Sequence, residues 1–94
     1  MSPERFQRVS KALADPQRFA ILERIARNAG ELACKAVVQE LAVSQATVSH
    51  HLKELAEAGL IGIRREAQSA FLSPNRSVME DYRRELGRRM GLER

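Results

Sequence analysis

Residues 41–55 read Leu41-Ala42-Val43-Ser44-Gln45-Ala46-Thr47-Val48-Ser49-His50-His51-Leu52-Lys53-Glu54-Leu55. Ser44 offers a hydroxyl oxygen where a helix begins, and Gly59 ends the pattern that follows. At about 100° per residue, Val48, Leu52 and Leu55 gather on one side of that helix, and Ala46, His50, Lys53 and Glu57 on the other. Just upstream, Val37, Val38 and Leu41 mark a shorter helix over about 34–42. Two short helices around Ala42-Val43-Ser44, the second with a small and polar amino-terminal half, are what a helix-turn-helix requires.

Helices are also predicted before this unit. Ser2-Pro3 caps a first helix carrying Phe6, Val9 and Leu13 at helical spacing. Asp15-Pro16 restarts the pattern, with Phe19, Leu22 and Ile25, and Ile21 beside them, on an apolar face of about four turns that Gly30 closes. After Gly59 the period becomes two: Ile61 and Ile63 alternate with Gly62 and Arg64, and Ala70-Phe71-Leu72 follows the polar run 65–69, which reads as a β-hairpin. Ser77-Val78-Met79-Glu80 has the form of a capping box opening a last helix, whose stripe is Val78, Met79, Tyr82, Leu86 and Met90. The expected fold is therefore mainly α with a small β-hairpin, about five helices and two strands, in a single domain over residues 1–94. The first and last helices carry more apolar face than so thin a core covers, so Phe6, Val9, Leu13, Val78, Met79, Tyr82, Leu86 and Met90 are the candidate surface of a homodimer.

Ninety-four residues with 44% apolar and 30% charged side chains suit one globular core, too small for most enzyme architectures. No apolar run reaches a membrane span, the amino terminus lacks an apolar leader segment, and the single cysteine, Cys34, has no partner for an internal disulfide; a reducing, cytoplasmic setting is expected. The net charge of +4 favours a polyanionic partner, and the charge is uneven: +3 over residues 1–30, −2 over 31–60 and +3 over 61–94. Phe6, Phe19, Phe71 and Tyr82 are the only aromatics, too few for stacking along single strands, so that mode is disfavoured. No nucleophile stands with a base, no glycine-rich phosphate loop occurs, and neither a metal nor another cofactor is expected.

Taken in order, Ala14-Asp15-Pro16-Gln17-Arg18, Ser44-Gln45-Ala46-Thr47-Val48-Ser49-His50-His51-Leu52 and Ala58-Gly59-Leu60-Ile61, followed by the arginine-rich hairpin, resemble the ArsR/SmtB family of bacterial winged-helix repressors over roughly residues 5–90. That resemblance implies a homodimer bound to palindromic operator DNA and released by an effector. Metal-sensing members commonly carry Cys-x-Cys in the first helix of the helix-turn-helix, where this chain has Ala33 and Lys35 flanking Cys34; others bind zinc through the last helix, but Ser77–Met90 holds no histidine. The effector is accordingly unknown and expected to be non-metal. Ala42 and Ala67 replace glycines frequent at the turn and the hairpin tip.

Gln45 and His50 are the candidate base-reading residues, with Ala46 and Ser49 short enough to let the helix approach a major groove. Ser44, Thr47 and Lys53 are candidates for phosphate, the first two beside free helix N–H groups. Arg64, Arg65 and Gln68 suit a wing reaching the adjacent DNA backbone or minor groove, and Arg18 suits phosphate from the second helix. His51, bordering Val48 and Leu55, reads equally as a buried, hydrogen-bonded side chain. Cys34 has two readings, a small core residue or a redox switch. Other functions left open are a metal- or thiol-responsive repressor with an atypical site and a winged-helix protein-interaction module.

Overall fold

Four side chains start four of the helices in the same way, each accepting a hydrogen bond from the backbone N–H three residues on: Ser2 from Arg5, Asp15 from Arg18, Ser44 from Thr47 and Asn75 from Val78. In the computed structural model, which describes residues 1–92, these caps open α1 (Pro3–Leu13), α2 (Pro16–Ala26), α4 (Gln45–Glu57) and α5 (Arg76–Arg89). Between α2 and α4 lie β1 (Leu32–Ala33) and α3 (Cys34–Leu41), and β2 (Ile61–Glu66) and β3 (Ser69–Pro74) form the hairpin. Proline at the start of α1 and α2 loses nothing there, because the first N–H groups of a helix have no intrahelical partner.

The expected two-stranded wing is one part of a three-stranded antiparallel sheet ordered β1-β3-β2. Leu72 pairs with Leu32 on one side and Ile63 on the other, so the hairpin grows out of the protomer core. Two residues are too short for alternation to betray a strand, which is why β1 is silent in the sequence. The core itself packs Val9 of α1, Ile21 and Ile25 of α2, Val37 of α3, Val48 and Leu55 of α4 and Leu72 of β3, all fully buried.

Several sequence expectations need correction. Phe19 is 43% exposed, because Ile21, Leu22 and Ile25 define the buried stripe and Phe19 sits more than about 100° round the helix from its centre. Helix α2 stops after three turns at Ala26 instead of running towards Gly30; the Asn28 amide then holds the carbonyls of Gly30 and Glu31 at 3.0 and 3.1 Å. Helix α5 starts two residues early on Asn75, and Glu80, the other half of the supposed capping box, is bound instead by Arg83. Phe6 and Val9 do not offer themselves to a partner chain: Val9 is fully buried within the protomer and Phe6 is 8% exposed, stacked on Tyr82 at 4.9 Å between ring centroids and with the Arg89 guanidinium 4.1 Å from its ring centre.

Arginines close three helix carboxyl ends, where carbonyls lack intrahelical donors. Arg18 donates to the Ala12 and Lys11 carbonyls of α1 at 2.7 and 3.2 Å, Arg76 to Ala26 of α2 at 2.8 Å, and Arg5 to Ala58 behind α4 at 3.3 Å. Gly59 serves the last of these twice over. Its φ is +80°, and a Cβ there would push against the Arg5 guanidinium.

Ala42, between α3 and α4, and Ala67, at the hairpin tip, hold left-handed φ of 52° and 53°. An L-side chain is strained there by roughly 1–2 kcal/mol, and glycine escapes this strain at some entropic cost. Ala67→Gly is expected to stabilise the protein by about 1 kcal/mol in urea unfolding with an unchanged slope; equal or lower stability would show the tip to be relaxed around alanine.

Candidate nucleic-acid interface

Burial of Val48, His51, Leu52 and Leu55 turns the rest of α4 outwards. Two rows of side chains follow on the exposed face at four-residue spacing: Gln45, Ser49 and Lys53, then Ala46 and His50. Within the first row the Gln45 amide donates to Ser49 Oγ at 3.3 Å and contacts Cys34 Sγ at 3.9 Å. Ser44 and Thr47 are tied to each other: Ser44 Oγ accepts from the Thr47 N–H at 3.1 Å and donates to Thr47 Oγ1 at 2.9 Å. Their hydroxyls thus build the helix start, whose remaining N–H groups face solvent with the positive end of the helix dipole.

His51 follows the buried reading. The residue is 6% exposed and Nε2 lies 2.9 Å from Gln17 Oε1, fastening α4 to the first turn of α2; Nδ1 is buried with no hydrogen-bond partner among the described residues. Nearby, the Arg18 N–H bonded to the Asp15 carboxylate holds that carboxyl below its ordinary range, with His51 adding a smaller pull in the same direction.

Two of the expected DNA contacts are engaged elsewhere. Arg18 is committed to the end of α1, and its guanidinium holds two carbonyls of its own chain. Arg64 is clamped by acids: the Glu31 carboxylate takes its Nε and Nη2 at 2.9–3.2 Å, Glu66 takes Nη1 at 2.6 Å, and the guanidinium lies 4.7 Å from the centre of the Phe71 ring. These bonds hold the guanidinium more firmly protonated than usual while cancelling its charge. It anchors the wing to the segment before β1. Arg65, one residue on and on the opposite face of the strand, is exposed and enters no ion pair among the described residues; nor do Lys53 and Lys35.

Lys35 is a residue the sequence reading passed over. It follows Cys34 in the first turn of α3 and lines, with Gln45, Ser49, Lys53, Arg65 and Gln68, a cleft between α4 and the wing. Only its place in the chain, eighteen residues from Lys53, concealed that the two share a face. Cys34 lies on the same cleft, half-buried, with a free thiol.

On α5, Arg83 pairs with Glu80, and Arg88 and Arg89 with Glu85, whose carboxyl they pull down to about 2. That helix has no fully buried residue; Val78, Met79 and Tyr82 lean on the core, Leu13 likewise from α1, and Leu86 and Met90 are exposed. Tyr82 also bonds Ser10 of α1 through its hydroxyl at 2.8 Å. Among the described residues no group of three or more His, Cys, Asp or Glu side chains is placed to hold a metal ion, and no helix is long and apolar enough to cross a membrane.

A helix-turn-helix domain family model matches residues 13–64. The chain is 40% identical over 68 residues, 72% of its length and 75% of the relative's, to an uncharacterised helix-turn-helix transcriptional regulator of Methanocaldococcus jannaschii. It is 32% identical over 73 residues, 78% and 79% of the two chains, to the transcriptional repressor SdpR of Bacillus subtilis. Among solved structures it is similar, at 28% identity and TM-score 0.73 over 96% of this chain and 83% of the other, to the homodimeric winged helix-turn-helix DNA-binding domain of a possible ArsR-family transcriptional regulator from Mycobacterium bovis.

The clamp on Arg64 has a pH signature. The hydrogen bonds from Arg64 hold the Glu31 carboxyl below its ordinary 4.5, so the clamp's contribution is complete above that value and is lost as pH falls through the lower folded value. A carbon-13 carboxyl titration should find Glu31 titrating below 4.5, with wing resonances moving along the same curve. In Glu31→Gln the wing should no longer follow that curve; wing shifts that persist there would assign them to another group.

Proposed function

The chain belongs to the ArsR/SmtB family of winged helix-turn-helix transcriptional regulators, and on that premise we propose that it is a repressor whose homodimer sets two α4 helices into successive major grooves of double-stranded operator DNA. The observation that carries this is the α4 surface: small and polar Gln45, Ala46, Ser49 and His50 outward, the apolar side held in the core, and Lys35, Lys53 and Arg65 alongside without ion partners among the described residues. Gln45 and His50 read base edges. Ala46 and Ser49 permit the close approach. The α4 amino terminus, built on Ser44 and Thr47, meets a phosphate with Lys53, Arg65 and Gln68. Arg64, exposed on the wing, is paired with Glu31 and Glu66 of its own chain.

The dimer draws on Leu86, Met90 and the outer edges of Leu13, Val78, Met79 and Tyr82, side chains that one protomer leaves partly or largely uncovered. Residues 1–94 then act as one DNA-binding unit in the cytoplasm. No metal serves as effector at the positions that family metal sensors use, since Ala33 and Lys35 supply no thiolate there. The thiol-responsive alternative rests on the contact between Cys34 and Gln45, and a Cys34→Ser protein that keeps full DNA affinity and full oxidant response would end it.

The test is a titration, in chelator and reductant at stated salt, of DNA from upstream of the protein's own gene against a scrambled duplex. Tight binding to the upstream fragment alone is expected, falling roughly 10³–10⁵-fold between 50 and 200 mM salt if six to ten phosphates are contacted. Gln45→Ala should narrow the gap between the two duplexes by about 1–3 kcal/mol, whereas Arg65→Ala should weaken both alike and reduce the salt slope by about one. Equal losses on both duplexes for Gln45→Ala would remove it from base reading.

A further inference from the structure

The cleft between α4 and the wing is more than a gap between two DNA-contacting elements. It encloses about 580 Å³, within the roughly 300–1,000 Å³ of small-molecule sites. It stays open because the side chains along its walls are short, among them Ala33, Ser49, Ala56 and Ala70. Leu52 and Ile63 give it apolar surface, and Leu52 belongs to the core, which keeps that wall rigid. Three cations stand around it, Lys35 from α3, Lys53 from α4 and Arg65 from β2, against the single carboxylate of Glu57. Apolar walls under an unbalanced positive rim are complementary to a molecule with an apolar body and a negative head.

We propose that this cleft binds an amphipathic organic anion, and that the bound anion releases DNA by occupying the cations and the α4 row on which the duplex would rest. The second half depends on the DNA-binding function proposed above. Lys53, Arg65, Ser49 and Gln68 line the cleft and also belong to the proposed DNA surface, so one anion excludes the other without any change of fold. A ligand confined to the DNA-free form raises the apparent Kd for DNA by one plus its concentration over its own Kd, about elevenfold at ten times that constant. The cleft thereby supplies a non-metal effector site in a chain whose described residues bring no metal-binding cluster together.

The experiment uses 8-anilinonaphthalene-1-sulfonate as anionic probe and N-phenyl-1-naphthylamine, its uncharged counterpart, as control. Titrated into the DNA-free protein, the sulfonate should saturate at one per protomer and bind at least tenfold tighter than the neutral amine. The exposed pair Lys35→Ala/Lys53→Ala should weaken the sulfonate at least tenfold and leave the amine unchanged. Ala70→Leu should weaken both by filling the cleft, its circular dichroism remaining that of the wild type. With labelled upstream DNA, the sulfonate should raise the Kd in the stated proportion. Non-saturable binding, equal affinity for the two dyes, or full affinity in the lysine pair overturns the site. Loss of the sulfonate in Leu86→Ser moves the dye to the terminal helices and overturns it too. Saturable binding that leaves DNA affinity untouched overturns the release mechanism alone. A protein that binds the dye at the cleft but prefers no duplex even without it refutes the DNA-binding function and leaves the anion site standing.

Discussion

The outward face of α4 follows from the burial of its other side. Val48, Leu52 and Leu55 are buried in the core that α4 shares with α1, α2, α3 and β2, and their removal from water fixes the rotation of the helix about its own axis. Once that rotation is set, four-residue spacing leaves Gln45, Ser49 and Lys53 no direction but outwards. His51 adds a polar restraint to the same orientation through Gln17, tying α4 to the start of α2. The Ser44 cap fixes where the helix begins, and Arg5 on the Ala58 carbonyl fixes where it ends.

The positive charge of the chain is distributed by structural need before it is available for any partner. Arg5, Arg18 and Arg76 neutralise helix carboxyl ends, joining α1 to α4, α2 to α1, and α5 to α2. Arg64 is paired at the surface with two carboxylates, and the arginines 83, 88 and 89 of α5 sit beside Glu80 and Glu85. Around the cleft between the recognition helix and the wing, Lys35, Lys53 and Arg65 face solvent without an ion pair among the described residues. A net charge of +4 therefore says less about the binding face than the identity of these three side chains does.

The elements themselves were legible because capping oxygens, glycine stops and apolar periods are local signals. Ser2, Asp15 and Ser44 start helices as their residue types require, and the change from helical to two-residue period at Ile61 marks the hairpin. The failures were non-local or competitive. Asn75 displaced Ser77 as a cap because both are able capping residues and the hairpin ends at Pro74, just before Asn75. Phe6 and Val9 looked like interface residues because periodicity identifies an apolar face without saying what covers it. Here α2, α4 and α5 of the same chain do so.

The sequence by itself determined five helices, the hairpin and the buried side of α4, since each is encoded by residues within about a dozen positions of one another, while the family was legible only in the ordered combination of motifs across residues 14–61. Tertiary structure alone decided which arginines are spent inside the protein, that Leu32–Ala33 completes the sheet, and that Lys35, Lys53 and Arg65 surround one cleft. The reason is physical: hydrogen bonds from a guanidinium to a distant carbonyl, and the convergence of charges from α3, α4 and β2, depend on distances through space that no local pattern of polarity encodes.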